Sequence, residues 1–483
     1  MNTDAAARSA QRSLRVLVVT AGIGTSILFI VVGLATRLQM FGDGSIFSYA
    51  VAAQDAWEFH WHNISGRLFS YVYAYIAAEA VVALTGSAKA GIAVYGLLHF
   101  SAQLLGLLVT LAADRTAGRT IFAFACLSTA CLCPLVFGAP TEMWMAHALF
   151  WPALAVCLCA PAGRRGAAAV FAGLLALAFT HEGAIVFEAA ILFALFLRGG
   201  RDAIFTRALA AFFAVMAVWL VVKITLRPDD YIAGVLAAAA FKFIDIGNLA
   251  QPAFLLLIAA LAGCGGAIIL LRHASPQRAY VYAALACTVG LAVYWIWFDR
   301  WLLTEARYNL RTVLLIVTPA FGISATIGAM REDERRESPF PFLARLASAI
   351  EKAINRRIVA GAIVLTLLVY IVETAKFVAA WTDYKAAVRE LASGTDADPA
   401  LGNPLFVSSR RISAGLNRLS WNSTTPYLSV LVAPGLAPAR LVVDPDAGYF
   451  WLSCATATRS EQTSTALPAA SRRLIRLHAC LHR

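Results

Sequence analysis

The most unusual break in this sequence is Thr180-His181-Glu182-Gly183, where an imidazole and a carboxylate stand side by side in a tight turn between two short apolar runs. Ionisable groups that cannot retreat far into water are candidates for proton transfer or ligand binding; the other reading is a turn that hydrogen-bonds to itself. A zinc-protease motif is excluded, because no second histidine follows four residues on. Glu142 occupies the preceding break. Further along, Arg307 and Arg311 are four residues apart and project from one helix face, with Tyr308 between them. Their guanidinium donors match phosphate oxygens, while ion pairs with Asp299 and Glu305 or snorkelling to headgroups are equally available. Asp43 follows the first apolar run and opens an amphipathic stretch, so it can act as a base, as a helix cap, or as both. His60 and His62 flank Trp61 with a spacing that could ligate metal. Without a third ligand, an interfacial role beside the tryptophan is favoured.

The elements that must hold these groups are apolar. Of the 483 residues 60% are hydrophobic and only 14% charged, against roughly 45–50% and about 25% in an ordinary soluble domain. The formal charge of +12 resides largely in arginines at short breaks between apolar runs, as in loops facing anionic lipid. No basic stripe with interleaved aromatics occurs, which argues against nucleic acid. Seven of the nine cysteines lie inside apolar runs as small hydrophobes; Cys454 and Cys480 remain to pair if their compartment is oxidising.

Apolar runs of about the length a bilayer requires recur at 14–35, 67–84, 90–112, 120–137, 143–159, 167–179, 184–197, 208–222, 254–271, 280–298, 313–329 and 358–371. Glu188 falls inside one of them and needs a partner or a water cavity; Lys223 ends another and can snorkel. The arginine-rich breaks at 115–119, 164–165, 198–207, 272–278 and 331–357 belong on the cytoplasmic side. With Arg8, Arg12 and Arg15 also inside, one run must fail to cross. The expected exception is 67–84, which carries Glu79. It is preceded by a stretch with Ile46, Ala50, Ala53 and Trp57 on one face and Ser48, Asp55 and Glu58 on another. Both then lie as helices at the outer interface. The expectation is an α-helical polytopic membrane protein of about eleven transmembrane helices, residues 1–380, with interfacial helices in an outer loop at 37–88. Residues 381–483 form a small extracytoplasmic α/β domain, with strand-like stretches at 405–408 and 441–443.

That layout resembles the GT-C superfamily of membrane glycosyltransferases, which take sugars from polyprenyl-phosphate carriers. The matching residues are Phe41-Gly-Asp43-Gly-Ser-Ile-Phe after the first span, Gly66-Arg-Leu-Phe with Leu84-Thr-Gly86, and Glu305-Ala-Arg307-Tyr308 opening a span that contains Pro319. The sequence departs from many bacterial members in having a single acid in the first outer loop, and Gly66-Arg-Leu-Phe in place of a Lys-Pro-Pro-Leu stretch. The resemblance implies transfer from a polyprenyl-phosphate sugar to a lipid, glycan or protein acceptor at the outer face of the plasma membrane, with no metal assigned. It implies Asp43 as base, supported by His181 and Glu182. Arg67, Glu142, Arg307, Tyr308 and Arg311 are its substrate-binding residues. A transporter or flippase of lipid-linked sugars is the competing expectation, and would show polar sites in mid-span. A glycan ligase or polymerase would carry its large outer segment between spans.

Overall fold

The computed structural model describes residues 3–132, 142–225, 306–329, 356–394, 398–401, 403–417, 419–421, 423–444 and 477. Helices dominate. In chain order they are α1 (Thr3–Thr36), α2 (Asp43–Ala52), α3 (Ala56–Asn63), a single turn α4 (Leu68–Ser70), α5 (Ile76–Thr85), α6 (Ala88–Ala113), α7 (Thr120–Leu132), α8 (Glu142–Cys159), α9 (Arg164–Ala178), α10 (Ala184–Gly199), α11 (Ala203–Thr225), α12 (Ala306–Gly328) and α13 (Arg356–Ser393).

Six helical runs among the described residues are long and apolar enough to cross a membrane: Leu14–Thr36, Ser65–Thr85, Ala88–Ala113, Glu142–Cys159, Ala203–Lys223 and Ala360–Ser393. This fits a polytopic membrane protein. The expected runs at 254–271 and 280–298 lie outside the described residues. Large apolar side chains such as Ile27, Val31, Leu108, Phe213, Leu220, Leu365 and Ile371 are exposed along these runs. Such a surface is unfavourable in water and natural against lipid. By contrast 78% of the Glu142–Cys159 window is buried, making α8 the central helix, with α6, α9, α10 and α12 against it.

The outer-loop region differs from its sequence reading in three ways. The stretch 43–60 is not one amphipathic helix: it breaks at Gln54, whose φ of 53° is left-handed, into α2 and α3. Nor does α2 show two faces, since every residue from Gly44 to Ala52 is buried and Asp55 is too. The reason is a cover the sequence does not reveal, because α2 is packed between α6 and the C-terminal region. The run expected to lie flat, 67–84, belongs to a 21-residue segment with hydropathy 1.5 that is also able to cross. It is interrupted by a π-helical turn at Tyr71–Tyr75.

The C-terminal region does not begin with a separate fold. Helix α13 runs unbroken for 38 residues, about 57 Å at the α-helical rise, so it carries the apolar run at 358–371 on into the first residues of the region beginning at 381. Its second half buries Trp381 against Phe41, ring centroids 5.2 Å apart, and the indole Nε1 donates to the Thr36 carbonyl at 3.1 Å. Beyond it, β1 (Phe406–Ser408) and β2 (Leu441–Val443) pair in parallel, Phe406 opposite Leu441, close to the two expected strand positions. Two short helices, α14 (Ala414–Asn417) and α15 (Thr425–Val432), complete this described part; α15 packs on α2 and β2. Cys454 and Cys480 lie outside the described residues.

Candidate functional site

Four of the residues singled out from the sequence meet in one cluster. Arg67 donates from Nε to Glu182 Oε2 at 3.1 Å and from Nη1 to Glu142 Oε2 at 3.2 Å. His181 Nδ1 lies 3.8 Å from Glu182 Oε2. Because Gly183 N–H donates to that same Nδ1 at 2.9 Å, the ring proton sits on Nε2 and the approach to Glu182 is not a hydrogen bond.

Local chain geometry explains the meeting. Phe69 N–H donates to the Phe179 carbonyl at 2.9 Å and Ser70 Oγ to the Thr180 carbonyl at 3.2 Å, strapping α4 to the turn that bears His181 and Glu182. Glu142 is the first residue of α8, where the helix dipole favours an anion. The approach is close enough to require Gly66. A methyl there would stand 3.0 Å from Lys223 Nζ and 3.1 Å from Glu182 Oε1. Lys223 lies over the Trp219 ring at 5.4 Å. The order Lys223, Glu182, Arg67, Glu142 thus alternates in sign, so each buried carboxylate has a cation beside it. Burial works to raise the Glu182 carboxyl, but Arg67 above all, then His181 and last Lys223, hold it at about 2. Glu182 is therefore an anion, and a poor proton acceptor, at neutral pH.

A ladder of buried rings leads away from this cluster. His60 packs edge-on against Tyr75 at 4.4 Å, Tyr75 Oη and Tyr95 Oη are 3.4 Å apart, and the Tyr95 and His99 rings are 5.7 Å apart. Burial lowers His60 to about 4, so the ring is neutral; its Nδ1–H donates to the Ala56 carbonyl at 2.8 Å. Glu142 acts electrostatically on His60, Tyr75, Tyr95 and His99. Deeper along α6, one more turn on, Gln103 Oε1 meets His147 Nδ1 at 3.1 Å and His147 Nε2 meets Ser128 Oγ at 2.9 Å.

Asp43 joins the region from the other side. It is the first residue of α2, not its cap; Gly42 holds the cap position, and no side chain caps it. The carboxylate acts on the Tyr95 phenol, which links it to the ladder. The C-terminal region secures this corner: Thr424 Oγ1 donates to the Gly42 carbonyl at 3.0 Å, Ser45 Oγ to the Thr424 carbonyl at 3.2 Å, and the Tyr49 and Tyr427 rings meet at 5.2 Å.

Arg307, Tyr308 and Arg311 fall in the opening turns of α12, and their side chains lie outside the described residues. Arg67, expected among the substrate-binding residues, is held by two protein carboxylates. Among the described residues no group of three His, Cys, Asp or Glu side chains is arranged to hold a metal. Glu188, fully buried, has no partner for either carboxylate oxygen among the described residues. The sequence alone ranks Lys223 low and places His60 at the interface. The signal it does carry is Tyr95, His99 and Gln103 at successive fourth positions inside one apolar run, a single polar stripe on α6. Comparison with protein-family models, with curated proteins and with solved structures finds no match to this chain.

Proposed function

We propose that this chain is a membrane glycosyltransferase of the GT-C type, moving a sugar from a polyprenyl-phosphate carrier to a hydroxyl of a lipid, glycan or protein at the outer face of the plasma membrane. About eleven spans, a cytoplasmic N-terminus and an outer C-terminal domain complete the reading. The observation that carries it is the convergence of Arg67, Glu142, His181 and Glu182, singled out from three separate stretches of the sequence, into one cluster. A polar site at the outer ends of helices is what this chemistry needs.

In the proposed step the acceptor O–H gives its proton to a base, its oxygen bonds to the anomeric carbon, and the bond from that carbon to the phosphate oxygen breaks. The polyprenyl phosphate leaves with the electron pair. The base falls to Asp43, because Glu182 is held ionised by Arg67. Arg67, already neutralised by two carboxylates, orders the pocket; holding the phosphate falls to Arg307, Tyr308 and Arg311. The test is purified full-length protein given labelled polyprenyl-phosphate sugars, with Asp43→Asn and Arg307→Ala beside the parent. Loss of transfer in both, with unfolding midpoints unchanged, supports the assignment, and full transfer by Asp43→Asn removes the base.

A second reading, a transporter or flippase of lipid-linked sugars, is favoured by one observation: the buried Gln103, His147 and Ser128 chain inside the spans, the type of mid-span polar site a transporter uses. Movement of intact donor across a vesicle bilayer without bond cleavage decides for it.

A further inference from the structure

Three buried acceptor atoms around Glu142 have no hydrogen-bond partner among the described residues. Glu142 pairs Oε2 with Arg67 while its Oε1 is buried with no hydrogen-bond partner among the described residues. Glu182 repeats the pattern, Oε2 on Arg67 and Oε1 buried. His60 uses Nδ1–H on the α3 backbone, so its Nε2, on the far edge of a fully buried ring, is a bare acceptor with no partner either. Buried polar groups are nearly always satisfied, so three acceptors without donors in one neighbourhood mark a place where donors arrive from outside the chain. The buried rings of Tyr75 and Tyr95 pack beside them, Tyr75 against His60 at 4.4 Å and Tyr95 against Tyr75 at 4.9 Å. The cluster is open to solvent on one side, Arg67, His181 and Glu182 side chains being 12, 13 and 18% exposed, and closes at Glu142.

We propose that the surface formed by Glu142, Glu182, His60, Tyr75 and Tyr95 is a subsite for a hydrogen-bond-donating group, a sugar's hydroxyls or an amine on the sugar, and that it excludes the phosphate. A phosphate brings acceptors only. It would face two carboxylates and a lone-pair nitrogen, while Arg67 and Lys223 already stand beside those carboxylates. A group bearing O–H or N–H donors satisfies the orphaned atoms. This rests on the glycosyltransferase reading for the choice of ligand, and it divides the substrate: sugar at the Arg67 cluster, phosphate elsewhere.

The test is saturation-transfer NMR on the full chain in lipid nanodiscs, with a neutral methyl hexoside, a methyl 2-amino-2-deoxyhexoside and inorganic phosphate as probes. One or both glycosides bind, phosphate does not displace them, and His60→Phe, which keeps the ring and removes the acceptor, weakens binding about tenfold. The neutral and amino probes decide between hydroxyl and amine. Displacement by phosphate, no glycoside signal, or undiminished affinity in a folded His60→Phe overturns the proposal. Should that variant fail to fold, Tyr95→Phe and the phosphate competition on the parent decide the matter. Glycoside binding without any transfer overturns the enzyme and leaves the subsite; transfer in which phosphate competes with the glycoside does the reverse.

Discussion

Arg67 and Glu182 meet at 3.1 Å although 115 residues separate them in the chain, and the same guanidinium reaches Glu142 at 3.2 Å. One cation therefore joins three elements, the turn before α4, α8 and the turn before α10, and the stability of that corner depends on it. Arg67→Met leaves two buried carboxylates without their shared partner, at a cost on the order of 3–5 kcal/mol. Adding Glu142→Gln and Glu182→Gln restores most of the loss, since no uncompensated charge then remains. Thermal unfolding in detergent reads both. An Arg67→Met protein with the parent's midpoint would show that the pair is not a structural tie.

Gly66 is required by proximity. Its missing side chain makes room for Lys223 Nζ and Glu182 Oε1, so Gly66→Ala displaces the flexible lysine at a cost of about 1 kcal/mol. In a Lys223→Ala background the penalty shrinks, because only Glu182 Oε1 of the two close groups remains. A double-mutant cycle measures the difference, and strict additivity refutes the account.

The sequence carries the apolar runs, both strands of the C-terminal sheet and four members of the cluster because each leaves a local mark: a hydropathy run, a β-branched segment between prolines, a charge in a short break. Burial of α2 leaves none. Ser45, Ser48 and Asp55 look solvated in sequence, and only the docking of α15, nearly four hundred residues on, encloses them. For the same reason the sequence does not pair Arg67 with its two carboxylate partners, which come from other parts of the chain. His60 reads as an interfacial histidine although its partners are the backbone of its own helix and a tyrosine from the next segment.

Two groups outside the spans give stability a pH dependence with separate windows. His60 is lowered to about 4 by burial, so between about 6.5 and 4 the unfolded chain binds a proton that the folded chain refuses. Stability is full above that window and falls through it by on the order of 3 kcal/mol. Glu182, held at about 2, contributes stability above the ordinary glutamate range near 4.3 that is lost as pH falls toward 2. Unfolding midpoints followed from pH 7.5 to 4.5 isolate the histidines. In His60→Phe that slope falls by the share of one proton, the buried His99 and His147 keeping theirs, while the loss at lower pH persists, and an unchanged slope assigns it to those other groups.

The C-terminal region is built into the corner that presents Asp43. Gly42 has φ +58°, a conformation that strains other residues, and a methyl on it would stand 3.0 Å from the Trp421 ring. Its carbonyl accepts from Thr424 Oγ1, and Ser45 in the first turn of α2 donates back to the Thr424 carbonyl. These contacts fix the entry to α2 and hence the direction of its first residue. Thr424→Val removes the hydroxyl at nearly constant volume and costs about 1 kcal/mol, while Thr424→Ser keeps the bond and restores most of it. If the region only covers the membrane body, hydrogen exchange in Thr424→Val rises in α15 alone. If it positions Asp43, exchange rises in α2 as well, and Gly42→Ala, acting from the other partner, reproduces the pattern. Exchange confined to α15 in both variants reduces the C-terminal region to a lid without influence on Asp43.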